Sequence, residues 1–420
     1  MWPSRRFRTM AVGALALLAA SAAGAQLLPQ SPLGGVLGEV GRVGDRTLGT
    51  AVRALDGVAV NAGALASARI DRLRAVVRAN SDILEMSDLG PAVRGEVVAV
   101  DPTPAALEAA LAAGFRIVAD ERIEGLGLRS VTLQAPKSLS IDKAVALLGR
   151  VAPGAEFAPN HLHLQSGPAP AGLAGAALAQ GGSGSALIGI IDGGAAAHPS
   201  LGGVEQRGFV TGAPAPSAHG TAVASLAVGR GIVRGAAPGA GVLIADVYGR
   251  DPRGGNAVAI ARALGFMVDR RVKVVAMSLV GPPNKLVATA IGQAMARGIQ
   301  VVAAVGNDGP AAPPAFPASY KGVIAVTAVD GRNRPLAEAG RSLHLDFAAP
   351  GADMAAAAPG GGLSAVRGTS YAVPLVAGRL ARVSLAALNA EAEDLGPKGP
   401  DNRYGRGLVC GDCRTRLSKK

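Results

Sequence analysis

Two rhythms of apolar and polar positions divide the chain. Between Val93 and Leu164 they are short and mixed. Gly95–Val100 reads as a strand, and Pro104–Ala113 as a helix ended by Gly114. Arg116–Ala119 and Leu128–Leu133 read as strands, and Ser140–Leu148 as a helix with Ser140 at its N-cap and Gly149 after its end. Ala155–Leu164 closes the region as an extended segment. The succession β-α-β-β-α-β is that of a ferredoxin-like α+β unit. Beyond it the strand candidates become continuous apolar runs: Leu187–Ile191, Val242–Val247, Val272–Leu279, Ile299–Val305 and Val323–Val329. Such runs suit a parallel sheet covered on both faces. Helices are expected over His219–Val228, Asn256–Val268, Lys285–Arg297 and Ser370–Asn389. The second region is thus a doubly wound α/β domain, whose ligand sites lie beyond the carboxyl ends of its strands.

Residues 26–92 are Gly/Ala-rich, with one helical patch over Ala68–Val77 that sets Ile70, Leu73, Val76 and Val77 on one face. Residues 165–184 read as a linker rich in Gly, Ala, Pro and Ser. At the start, Arg5, Arg6 and Arg8 precede the apolar stretch Met10–Ala20 and the small-residue site Ala23-Gly24-Ala25. This is the pattern of an export signal over residues 1–25, too short to span a membrane. We expect a secreted or periplasmic bacterial protein with no membrane span.

Composition narrows the chemistry. Aromatic residues make up only 3% of the chain, so the core must be built from Ala, Val, Leu and Ile. The net charge of +12 is concentrated after Pro170, where 25 Lys and Arg face 15 Asp and Glu. These basic residues are dispersed, with few aromatics among them, which favours a solvated basic surface over a nucleic-acid partner. The two cysteines, Cys410 and Cys413, form a C-x-x-C pair in the tail 410–420. Zinc would need two more nearby ligands, and a redox pair would need a thioredoxin-like context; a disulfide in an oxidising compartment is the favoured reading.

Four polar residues stand where the strand and helix pattern puts chemistry. Asp192 ends the run Ile188–Ile191. His219 opens a helix in His219-Gly220-Thr221, where Gly220 permits close backbone approach. Asn307 follows the run Val301–Val305, and Ser370 lies in Gly368-Thr369-Ser370 ahead of an apolar helix, with Pro374 in its first turn. Taken singly, each has a plain structural explanation as a turn or cap residue. Together they run acid, base, amide, nucleophile.

That order, with the motifs Ile190-Ile191-Asp192, His219-Gly220-Thr221, Ala303-Ala304-Val305-Gly306-Asn307 and Gly368-Thr369-Ser370, resembles the subtilisin-like serine proteases. The stretch Tyr404–Val409 resembles that family's close. The resemblance implies a subtilisin-like catalytic domain over residues 185–409. It implies Asp192, His219 and Ser370 as triad, Asn307 as oxyanion donor, and Ser278, Leu279 and Val280 as a substrate-binding strand. It further implies that residues 93–164 form a propeptide, which inhibits the enzyme in cis with Pro159–Leu164 laid in the cleft like a product. Within that stretch His161 and His163 are read as ordinary surface or strand histidines ahead of the alternative, a pair that senses pH. Gly193 stands in place of the family's usual small hydroxyl residue after the aspartate and lacks its side chain, whereas Tyr371 and Val280 are larger than the residues usual at their positions. The chemistry calls for protein or peptide substrates and no cofactor. Calcium often stabilises the family, yet no D-x-[DN]-x-[DN]-G loop occurs here, and no metal site is assigned. Two other functions fit the same motifs: an inactive binding or envelope protein on this fold, and a serine esterase.

Overall fold

The computed structural model describes residues 62–166 and 188–416. The expected signal peptide, the segment up to residue 61 and nearly all of the linker fall outside the described residues.

The chain enters on helix α1 (Ala62–Ala79) and strand β1 (Leu84–Met86), then builds β2 (Pro91–Val100), α2 (Pro104–Ala112), β3 (Arg116–Ile123), β4 (Leu128–Gln134), α3 (Ile141–Val151) and β5 (Glu156–His161). The strands form one antiparallel sheet in which β2 pairs with β1, β4 and β5, and β3 lies outside β4. Helix α1 is longer than its apolar patch; Leu73 is buried, but Ile70 is exposed and not on the packed face. Ser140 occupies the cap position of α3 without a side-chain hydrogen bond to it, whereas Thr103 does cap α2. Strand β3 runs past its expected end because a bulge between Ile117 and Ala119 lets pairing with β4 resume.

This sheet is covered on both faces, by different means. Val97, Ala99, Val131 and Leu133 pack with Leu107, Ala110, Ile141 and Leu148 of its own helices. The alternate residues Val98 and Val100, with Ile123, Leu126 and Leu128, join the hydrophobic core of the following domain. The strand period of two sends neighbouring valines to different cores.

The second part begins, after β6 (Leu164–Gln165), with β7 (Ile188–Asp192), β8 (Val204–Gly208), α4 (Ala218–Val228), β9 (Val242–Asp246), α5 (Ala257–Asp269), β10 (Val274–Met277), β11 (Leu279–Val280), α6 (Lys285–Ala296), β12 (Gln300–Ala304), β13 (Ile324–Val329) and β14 (Phe347–Pro350). Seven strands make a wholly parallel sheet in the order β14-β13-β12-β10-β7-β9-β8. Ile188, Ile190, Val242 and Ile244 face one set of helices, and Ile191, Leu243, Ala245 and Val275 face α5 and α6. Both faces are buried, as the unbroken apolar runs require. From β7 the chain builds first toward β9 and β8, then returns to β10 on the other side. The switch point therefore lies between β7 and β10.

The remaining elements are β15 (Met354–Ala357), β16 (Leu363–Val366), a 3₁₀ turn at Thr369–Tyr371, α7 (Val373–Leu380) and α8 (Leu385–Glu391). The single helix expected over Ser370–Asn389 is broken. Ser384 adopts an extended conformation and caps a new helix by accepting from the Ala387 N–H. The run Val272–Leu279 also splits, because Leu279–Val280 leaves the sheet and pairs antiparallel with β6. Among the described residues no single helix is long and apolar enough to cross a membrane.

The two parts meet where backbone approaches backbone. A Cβ on Gly265 of α5 would strike the Ile123 side chain, and one on Gly125 would strike the Gly265 carbonyl oxygen. Only glycine at both positions lets the loop after β3 rest on α5.

Candidate active site

Asp192 ends the central strand β7 and is fully buried. Its Oδ1 accepts from His219 Nδ1 at 2.9 Å and from the Gly193 N–H at 2.6 Å. His219 is the second residue of α4, and its own helix is capped by Ser217, whose Oγ accepts from the Gly220 N–H. A Cβ at residue 220 would run into the Gly193 carbonyl oxygen, so glycine there is what brings the first turn of α4 against the end of β7. Thr221 locks the same junction, donating from Oγ1 to the Ser217 carbonyl (2.6 Å) and accepting from the Ala196 N–H (2.8 Å).

The Asp192 contact fixes the imidazole tautomer. With a proton on Nδ1, His219 presents a lone pair at Nε2. That nitrogen and the Ser370 Oγ are both buried and have no partner among the described residues. Ser370 lies in the 3₁₀ turn just ahead of α7, with its carbonyl held by Ser278 Oγ at 2.8 Å. Tyr371 packs its ring 5.4 Å from that of His219, and burial raises its phenol well above the usual range, so it is a neutral wall of the site.

Asn307 is aimed from both ends. Its Oδ1 accepts from the Thr369 N–H at 2.9 Å, which turns Nδ2 outward to the Ser166 carbonyl oxygen, also at 2.9 Å. Gly368 leaves the room for this; a Cβ there would lie 3.1 Å from Nδ2. Asp308, one residue on, accepts from Arg69 (3.1 Å) and Arg72 (2.5 Å) of α1, a link between the N-terminal helix and this loop that the sequence does not announce.

The segment Ser278-Leu279-Val280, whose last two residues form β11, meets the N-terminal part along one edge. Ser278 O accepts from the Ser166 N–H (3.1 Å), and Leu279 and Val280 pair with Gln165 and Leu164. Leu279 points into the core, while Val280 lies against Gly306. Two cavities open away from this cleft. One of about 620 Å³ borders Cys410 and Cys413, and one of about 760 Å³ lies in the seam between Glu96 and Arg253. Neither is lined by Asp192, His219 or Ser370.

His161 does end a strand, β5, but both it and His163 are buried, so the surface half of that expectation fails. His161 Nε2 meets Ser87 Oγ at 3.0 Å and Nδ1 meets Asn284 Nδ2 at 3.2 Å. Since the Asn284 amide is a donor, Nδ1 must be the acceptor and the ring neutral. Burial brings its pKa down to about 4. Burial, then the neighbouring His161, bring that of His163 down to about 3.

Cys410 and Cys413 are joined, with Cα atoms 5.2 Å apart. With Asp412 they form the one close group of potential metal ligands among the described residues, and the bonded sulfurs are not available as thiolates.

A parallel sheet that carries a buried acid hydrogen-bonded to an imidazole at its switch point, with Tyr371, the residue after Ser370, packed beside that imidazole, has the build of a serine hydrolase. Residues 186–406 match the subtilase family, and the chain belongs to it: it is a subtilisin-like serine endopeptidase. It is 34% identical over 244 residues to subtilisin BL of Lederbergia lenta, covering 54% of this chain and 90% of that protein. To the alkaline protease of Alkalihalobacillus alcalophilus it is 33% identical over 244 residues, covering 54% of this chain and 64% of that one. Among solved structures, fervidolysin from Fervidobacterium pennivorans superposes with a TM-score of 0.61 at 20% identity, over 79% of this chain and 62% of that chain. At that identity the likeness speaks for the fold alone.

Proposed function

We propose that the protein is an exported proenzyme that hydrolyses peptide bonds through Asp192, His219 and Ser370, and that the residues before the linker hold it inhibited in cis. The observation that carries this reading is the seat of Ser166. Its carbonyl oxygen accepts from Asn307 Nδ2 while the strand leading to it pairs with Leu279–Val280, so a piece of the chain lies as a substrate would.

In this reading His219 Nε2 takes the proton of the Ser370 hydroxyl as Oγ attacks a peptide carbonyl carbon. The negative charge then forming on the carbonyl oxygen is met by the Asn307 amide and the Ser370 backbone N–H. His219 returns the proton to the departing amine, leaving an acyl ester on Ser370. Water then repeats the sequence and frees the acid. Asp192, unable to leave its buried position, holds the imidazole and offsets its transient charge. No cofactor takes part in these steps. The apolar segment at residues 10–20, followed by Ala23-Gly24-Ala25, supports export.

The test is fluorophosphonate labelling of the purified protein together with casein hydrolysis. Labelling at Ser370 and casein cleavage are expected; in Ser370→Ala the label is absent and the rate of cleavage falls by on the order of 10⁶-fold, the scale of losing the nucleophile in subtilisin itself. An unlabelled Ser370 would make the protein a binding module on this fold; labelling with cleavage of esters but not casein would make it an esterase.

A further inference from the structure

The segment Leu162–Ser166 is held along both edges. On one side the His163 N–H donates to the Gly255 carbonyl at 2.7 Å, Tyr248 Oη donates to the His163 carbonyl at 2.9 Å, and Leu162 bridges to Asn256. On the other, Leu164 and Gln165 pair with Val280 and Leu279, and the Ser166 N–H reaches Ser278 O. This two-sided pairing fixes the register. A slip of one residue would turn every side chain to the opposite face and carry the carbonyl about 3.3 Å from the Asn307 amide. One peptide bond is therefore presented, the one on the carboxyl side of Ser166.

The residue before it makes an unusual contact. Gln165 Nε2 donates at 2.9 Å to Asp192 Oδ1, the same oxygen that holds His219. The contact depends on a missing side chain. A Cβ at Gly193 would lie 2.5 Å from Ser217 Oγ and 3.2 Å from Gln165 Nε2, and the small hydroxyl residue expected at this position from the family resemblance would fill that space.

We propose that the enzyme cuts its own chain on the carboxyl side of Ser166, and that the space left by Gly193 forms a subsite that selects glutamine at the position before the residue whose carbonyl is attacked. Asp192 is the acceptor for the glutamine amide, and Ser166 marks the preference for a small residue at the attacked carbonyl, its Oγ donating to Ser278 O at 3.1 Å. The step consumes one water. The Ser166 carbonyl carbon bonds first to Ser370 Oγ and then to water oxygen, and its bond to the nitrogen of Gly167 breaks. The Ser370 proton passes through His219 to that nitrogen, so the products are a carboxylate at Ser166 and an amine at Gly167. The proposal rests on the serine endopeptidase reading given above.

The test uses the full chain, wild type and Ser370→Ala, with intact-mass analysis of the released N-terminal fragment. Its carboxyl end is unaffected by later trimming of the mature enzyme. A fragment ending at Ser166, absent from Ser370→Ala, is the expected result. A Ser370-dependent cut at any other bond overturns this proposal and leaves the protease reading intact; no cut, with Ser370 inert to fluorophosphonate, overturns both. The subsite is read with a fluorogenic peptide of the sequence His163–Pro168 and its Gln165→Ala counterpart. Wild-type enzyme should favour glutamine about tenfold in kcat/KM, as a hydrogen bond to a charged acceptor implies. In Gly193→Ser that ratio should fall toward one. Equal rates on both peptides in the wild type, which needs no folded variant, would overturn the subsite.

Discussion

The two sheets of this protein bury their second faces in different ways. In the parallel sheet both faces are covered by helices of the same domain, and strands such as β7, β9 and β13 are buried at every residue. In the antiparallel sheet one face rests on its own α2 and α3, and the other on α5 and α6 of its neighbour. Where that second contact reaches the cleft it turns polar: Asn160, His161, His163 and Ser166 are all buried there. Apolar burial holds the parallel sheet together and responds little to pH. A seam that buries two imidazoles, one of them hydrogen-bonded through both nitrogens, beside amides and a carbonyl responds to both protons and single substitutions. In the proenzyme reading proposed above, a seam of this kind suits a part that holds tightly and is later released.

Three experiments bear on this contrast. The largest effect is expected at Asn307, which belongs to both regions. Asn307→Ala should lower kcat by about 10²–10³ with little change in KM, a magnitude established for the oxyanion amide of subtilisin; an unchanged kcat would separate Asn307 from the reaction and leave it only as a grip on Ser166.

Acidification comes next. His161 and His163 are neutral when docked, with pKa values pushed by burial to about 4 and about 3, and once released they titrate near 6.5. Below pH 6.5 the released state binds more protons than the docked one. Docking is therefore at full strength above that pH and weakens as pH falls toward 4. His161 alone accounts for about 3 kcal/mol across this range, roughly a hundredfold. Calorimetry of the Ser370→Ala chain should show the transition of the N-terminal unit shifting down over that window while that of the parallel-sheet domain changes less. Parallel shifts of the two would erase the contrast.

The smallest effect lies at the far edge of the parallel-sheet domain. Cys410 and Cys413 close a loop of only four residues, so replacing both by Ser should cost about 2 kcal/mol on the chain-entropy scale. Denaturant unfolding should report that loss in the parallel-sheet domain, with the pH window of the seam unchanged.

The strands of the parallel sheet were legible because burial on both faces leaves an unbroken apolar run that little else produces. The elements missed have other chemistry. Strand β8 reads Val-Glu-Gln-Arg-Gly because it is an edge; β15 is mostly alanine, which has no strand preference to reveal, and β14 sets only one strand-favouring residue, Phe347, before two alanines and a proline. The break at Ser384 was hidden because its cap interrupts a pattern that stays apolar on either side.

Residue types and their order along the chain were enough to single out Asp192, His219, Asn307 and Ser370, since an acid at a strand end, a histidine before glycine and a serine before a helix are local patterns. Which of them touch was decided only by the tertiary structure, which sets Asp192 against His219 and Asn307 against Thr369, the neighbour of Ser370, from segments far apart in the chain. The contact of Gln165 with Asp192, the neutrality of His161 and the seat of Ser166 beneath Asn307 have no local signature at all. Each depends on a distance between two segments, and distance across a fold is set by packing, which no short stretch of sequence encodes by itself.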